Sequence, residues 1–81
     1  MTKDEVFITL KEVIKEVLPL NDQEITIDKS LTDLGANSID RAEIVINVMS
    51  KLNITVPAQT LATVKNIAGL VDALYEAQQK A

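Results

Sequence analysis

The chain has 81 residues with 12 acidic and 8 basic side chains, a formal charge of −4, and neither cysteine nor histidine. That inventory excludes disulfides, zinc–thiolate sites, thiol nucleophiles and imidazole acid–base chemistry. With Phe7 and Tyr75 as its only aromatic residues, the acidic chain repels phosphate backbones and anionic membranes, and it lacks a stacking platform for single strands. A chain this short supports one modest core, so a single domain over residues 1–81 is expected. No apolar run reaches the length of a membrane span, and Met1 is followed by TKDE rather than a basic-then-apolar signal segment. The expectation is a soluble, cytoplasmic monomer that binds neither nucleic acid nor membrane and has no metal site.

In chain order, Thr2 and Glu5 form a capping box. Val6, Phe7, Leu10, Val13, Ile14, Val17 and Leu18 then recur at helical spacing as one stripe. Pro19 stops this first helix, predicted over Lys3 to Leu18. The connection from Leu20 to Asn37 is long for such a domain and needs anchors or a function. Leu20, Ile25, Ile27, Leu31 and Leu34 are spaced to pin it. The alternation at Ile25-Thr26-Ile27 has no partner strand in the chain. A single turn is expected at Ser30 to Leu34, with Gly35 supplying conformational freedom before the next helix.

The second helix is predicted from Asn37 or Ser38 to Lys51, with Asn37 as N-cap and Asp40 in the first turn. At roughly 100° per residue, Ile44, Val45, Val48 and Leu52 form one apolar arc. Ile39, Ala42, Ile46 and Met49 form a second, on the side of Ser38. Together they span about twice the usual ~100° apolar stripe. The second arc serves either contact with the next helix or a docking partner. Pro57 fits the first position of a short helix to about Leu61. Thr63 is expected to cap a last helix lined by Val64, Ile67, Ala68, Leu70, Val71, Leu74 and Tyr75. Gly69 inside that helix suggests close helix–helix approach, and the tail Gln78 to Ala81 is expected to fray. The fold class is all-α: a small four-helix bundle of three longer helices plus a short third.

Ser38 as a nucleophile needs a base to take its proton, and the chain has no histidine for it. Asp40 and Glu43 are helix-spaced carboxylates with no evident cleft, and Asp28 to Asp33 lacks the spacing of a calcium loop. No catalysis by the chain itself is expected. As a substrate for another enzyme, Ser38 is better placed: a phosphodiester there meets the positive end of a helix. The plain alternative is a helix-start serine beside its cap.

Asp28-x-Ser-Leu31-x-x-Leu34-Gly35-x-Asn37-Ser38-Ile39 resembles the phosphopantetheine attachment signature of acyl carrier proteins. The likeness extends over the long first loop, the short helix after Pro57 and the start of the last helix. It implies 4′-phosphopantetheine covalently attached to Ser38 and a phosphopantetheinyl transferase as partner. Asn37 stands where the family usually has aspartate, and Ile39 where leucine is common. Asn37-Ser-Ile-Asp-Arg41-Ala-Glu43-Ile-Val45 is further similar to the discrete donor carriers of polyketide β-branching cassettes. That resemblance implies an acyltransferase, a decarboxylating ketosynthase-like enzyme and an HMG-synthase-like enzyme as partners. The carrier would present acetyl, made from malonyl, for β-branching in antibiotic-type polyketide biosynthesis. The docking face would comprise Asn37, Ile39, Asp40, Arg41, Ala42, Glu43, Ile46 and Met49, with Arg41 alternatively a solvated first-turn arginine. A fatty-acid-synthesis or aminoacyl carrier, and a helical interaction module without a prosthetic group, remain the alternatives.

Overall fold

The computed structural model describes residues 2–80, among which lie four α-helices, one 3₁₀ turn and no strand. α1 (Lys3–Val17) starts on the expected capping box: the Thr2 hydroxyl accepts the Glu5 N–H at 3.2 Å, and Glu5 accepts the Thr2 N–H at 2.8 Å. The same reciprocal device recurs three times before α2 (Ser38–Leu52). Asn21 and Glu24 close the 3₁₀ turn Asp22–Glu24, Ser30 and Asp33 close the turn that follows, and Asn37 and Asp40 open α2 itself. Each pair satisfies two backbone donors that have no helical partner.

The core is aliphatic. Val6, Leu10, Val13 and Ile14 of α1 meet Ile44, Val48 and Leu52 of α2 and Ile67, Leu70, Val71 and Leu74 of α4 (Ile67–Lys80). α1 is the shared partner, packing on both α2 and α4, while α3 (Ala58–Thr63) rests on α4. Ion pairs Lys51–Glu16 at 3.3 Å and Lys3–Asp72 at 3.0 Å join α2 and α4 to α1 across solvent-exposed positions, where such pairs contribute little. Lys15, paired at 2.7 Å, holds the Asp22 carboxyl below the usual carboxylate range.

The long connection is tied down by backbone as much as by side chains. The Lys29 carbonyl accepts the Ile67 N–H at 2.8 Å, and the Ile27 carbonyl accepts that of Ala68 at 2.9 Å. These are first-turn donors of α4 that no helical carbonyl can reach. The next, on Gly69, is taken by the Asn66 side chain at 2.9 Å. Ile25 is buried, Leu20, Leu31 and Leu34 pack partly buried against the core, and Ile27 is 53% exposed. Ile27 thus anchors the loop through its carbonyl, not through the side chain that its spacing had nominated. Ala36, 4% exposed, joins the core instead.

Several boundaries differ from the sequence expectation. Pro57 is the N-cap of α3 rather than its first residue, and α3 extends to Thr63. The Thr63 hydroxyl donates to the Thr60 carbonyl at 2.7 Å and does not cap α4. Asn66 wins that role because its amide oxygen and the two loop carbonyls together satisfy the whole first turn. A Cβ added to Gly69 would meet Asn66 Oδ1 at 3.4 Å and Val64 Cγ1 at 3.7 Å, so its neighbours are its own cap and the α3–α4 connection, not another helix. Gln78, Gln79 and Lys80 continue the helix rather than fraying; Ala81 lies outside the described residues.

Two glycines therefore predict opposite outcomes. Gly35 has φ +95°, which an L side chain rarely adopts, so Gly35→Ala lowers stability by about 1–2 kcal/mol. Gly69 sits in regular helix with room for a methyl group, so Gly69→Ala raises stability by about 0.5–1 kcal/mol. Thermal unfolding followed by circular dichroism checks both. A Gly69→Ala midpoint below that of the parent would show that the methyl group dislodges the Asn66 cap.

Candidate functional site

Ser38 owes its position to the turn before it. The Gly35 N–H donates to the Thr32 carbonyl and the Ala36 N–H to the Leu31 carbonyl, both at 3.0 Å. With Gly35 at positive φ, this is a Schellman closure. Leu31 and Ala36 occupy the positions where this motif carries its apolar pair, with Ala36 buried in the core and Leu31 packed against it. The chain emerges at Asn37 in extended conformation and enters α2 at Ser38. Asn37 Oδ1 accepts the Asp40 N–H at 2.8 Å, and Asp40 Oδ2 accepts the Asn37 N–H at 3.3 Å. The Asp40 carboxylate is therefore partly committed to the cap.

Ser38 is exposed, and among the described residues its hydroxyl makes no hydrogen bond. Among the described residues no group hydrogen-bonds the Ser38 hydroxyl to take its proton and activate it as a nucleophile. The N–H groups of Ser38 and Ile39 also lack an acceptor among the described residues. An exposed hydroxyl beside two open donors at the positive end of a helix fits a phosphate ester on its oxygen. Upstream, the Asp28 carboxyl is held below its ordinary range, first by the Thr26 hydroxyl and then by its own backbone N–H. Asp28 thus serves the loop rather than the serine. Among the described residues no acidic cluster is arranged to hold a metal ion, and no helix is long and apolar enough to cross a membrane.

The second arc of α2 is divided. Ile39 is 75% exposed and Ile46 61% exposed, and Ala42 and Glu43 are also exposed. Met49 is partly buried against the core, and its sulfur accepts the Val56 N–H at 3.3 Å. Arg41 turns back on the loop. Its Nη1 donates to the Ala36 carbonyl at 3.1 Å and to the Thr32 hydroxyl at 3.2 Å, half-buried between them. An arginine drawn from α2 onto the preceding turn has no signature in helical periodicity, and the sequence alone left it on the solvated rim. Ala42, Ile46 and Met49 also line an open apolar groove of about 790 Å³, closed on its other side by Leu61, Val64 and Leu70. The α2–α3 interval is thus a groove rather than a tight contact.

Comparison with known proteins agrees with this geometry. The family model for the phosphopantetheine attachment site matches residues 9–74. The chain is 40% identical to the polyketide biosynthesis acyl-carrier-protein AcpK of Bacillus subtilis, over the full length of both. It is 34% identical to an acyl carrier protein of Petrotoga mobilis, covering 94% of this chain and 91% of that one. An acyl carrier protein of Exiguobacterium sibiricum is 36% identical, covering 89% and 96% respectively. No solved structure matches. The group that such proteins hold is 4′-phosphopantetheine, covalently bound to a serine, and their partners are the transferase that installs it and enzymes that handle acyl groups. From its helical fold, its exposed helix-start serine and these relatives, the chain belongs to the acyl carrier protein family.

Proposed function

We propose that Ser38 is the serine that takes up the arm, and that the chain is one carrier domain over residues 1–81. Of the three serines, Ser30 is committed to the reciprocal cap with Asp33 and Ser50 lies far along α2. Ser38 alone combines an unbonded hydroxyl with open backbone donors at a helix start, and this observation carries the reading. In the loading reaction the Ser38 oxygen bonds to the phosphorus of the pantetheine phosphate of coenzyme A. The pyrophosphate link breaks, adenosine 3′,5′-bisphosphate leaves, and the serine proton passes to a base on the transferase. The bound arm supplies a terminal thiol for thioester chemistry.

The finer reading is a donor carrier for polyketide β-branching. An acyltransferase would load malonyl, a decarboxylating ketosynthase-like enzyme would release carbon dioxide to leave acetyl, and an HMG-synthase-like enzyme would accept the acetyl carbon. Support comes from the Asn37-to-Val45 segment and from the likeness to the polyketide biosynthesis acyl-carrier-protein AcpK. The proposed docking face is Asn37, Ile39, Asp40, Arg41, Ala42, Glu43, Ile46 and Met49. Within it, Ile39, Ala42, Glu43 and Ile46 present the outward surface, an apolar patch edged by acid. Charge on such a rim governs which partner docks more than how tightly. The protein would work as a monomer in the cytoplasm.

Incubation of the apo protein with a phosphopantetheinyl transferase and coenzyme A should raise the mass by one phosphopantetheine, and Ser38→Ala should abolish the rise. A modified Ser38→Ala protein would overturn the assignment. For the finer reading, malonyl loading followed by decarboxylation should yield acetyl that the HMG-synthase-like enzyme consumes. Ile46→Asp should slow that step about tenfold, the order expected when an exposed apolar contact of about 1–2 kcal/mol is replaced by a charge. Preferential loading with an aminoacyl group would place the chain with aminoacyl carriers instead.

A further inference from the structure

Arg41 sits where its charge is not used by the fold. Both acceptors of its Nη1, the Ala36 carbonyl and the Thr32 hydroxyl, are neutral oxygens. Among the described residues no carboxylate lies within ion-pair distance of it, although the chain carries 12 acids. Two bonds occupy both hydrogens of one terminal nitrogen. The other terminal nitrogen and Nε keep three N–H donors without a partner.

A helical side chain leans toward the helix N-terminus and covers the turn before its own Cα. The bond to the Ala36 carbonyl holds the Arg41 guanidinium over that turn. Ser38 lies three residues before Arg41, its neighbour on the helix surface. A half-buried, pre-positioned cation with a spare donor edge is therefore held over the same helical turn that carries the hydroxyl proposed to bear the arm.

We propose that Arg41 grips the phosphodiester linking the arm to Ser38, which rests on the reading of Ser38 as the attachment point. One edge of the guanidinium keeps its hold on the loop, and the other donates to phosphate oxygens. Such a division suits a planar fork and is closed to lysine, whose single ammonium offers one point of charge. The root of the arm is thereby tied to the 31–36 turn and to the wall of the groove that Thr32 and Arg41 help to form. Arg41 becomes a determinant of how the arm leaves the surface, acting inward on the chain's own prosthetic group.

The test compares thermal unfolding of apo and holo protein for the parent, Arg41→Gln and Arg41→Lys, after mass spectrometry has established that the arm is on. In low salt the holo parent should melt about 3 °C above the apo parent, as an ion pair at a partly exposed site gives in a domain this size. That gap should fall by more than half in Arg41→Gln, and in the parent at about 0.5 M salt. Arg41→Lys should be intermediate, and the ³¹P resonance of the holo protein should shift in Arg41→Gln. Loss of the brace to Thr32 and Ala36 lowers apo and holo Arg41→Gln alike, so it leaves the gap untouched. An equal gap in parent and Arg41→Gln, or no salt-sensitive gap in the parent, overturns the clamp while leaving the attachment site standing. Should Arg41→Gln not fold, Arg41→Lys decides: a gap and a ³¹P resonance equal to the parent's overturn the clamp, and a reduced gap with a shifted resonance supports it. Failure of the mass to rise overturns the attachment reading, and the clamp with it.

Discussion

The Ile27 and Lys29 carbonyls, accepting the N–H groups of Ala68 and Ile67, are the contact on which the arrangement of this protein depends. A connection of this length has many ways to cross a small bundle, and closing it costs entropy that grows only slowly with length. What selects one path is that two of its carbonyls meet the otherwise unsatisfied first-turn donors of α4. Each bond is worth about 0.5–1.5 kcal/mol net, but leaving those donors buried and unmet would cost more. The same contact sets where α4 begins and where the loop lies.

From that anchor the chain reaches Ser38 through three short-range devices in succession. Ser30 and Asp33 close a turn, Gly35 reverses it at φ +95°, and Ala36 is pressed into the core. Asn37 and Asp40 then open α2. Nothing in this sequence of events needs the serine hydroxyl, which is left outside the hydrogen-bond network. Such neglect suits the attachment role we propose for Ser38, because a hydroxyl bound into the fold would have to be released first. In the proposed role the chain supplies position, and the chemistry of acyl transfer belongs to its partners.

α2 has to serve both the core and the surface. Ile44, Val48 and Leu52 are spent on the core, while Ile39 and Ile46 remain 75% and 61% exposed. Exposed isoleucines two turns apart on one helical face, with Ile8 and Ile27 the other large apolar side chains exposed among the described residues, suit the docking patch we propose. Met49 shares that face by spacing, and Arg41 belongs to the docking face we propose, but both are drawn inward, the one to the Val56 N–H and the other to the 31–36 turn. The outward patch is therefore smaller and less cationic than the proposed face as a whole.

Much of the local patterning was legible in the amino-acid sequence, though the equally short-range cap of Asn21 and Glu24 was not read from it. Thr2 and Glu5, Pro19, Asn37, the apolar stripes of α1, α2 and α4, and the serine at the head of α2 are short-range patterns whose physics is complete within one or two turns. The attachment motif belongs with them, since its residues lie within a dozen positions of one another. The tertiary structure decided what depended on distant partners. Asn66 rather than Thr63 caps α4 because carbonyls almost forty residues upstream arrive to finish the job. Ile27 contributes its backbone and Ala36 its side chain for the same reason, whereas Arg41 folds back on Ala36, only five residues away, through a contact that helical spacing does not encode. A spacing rule states which face a residue is on, whereas only the assembled chain supplies the donor or acceptor that the residue will meet there.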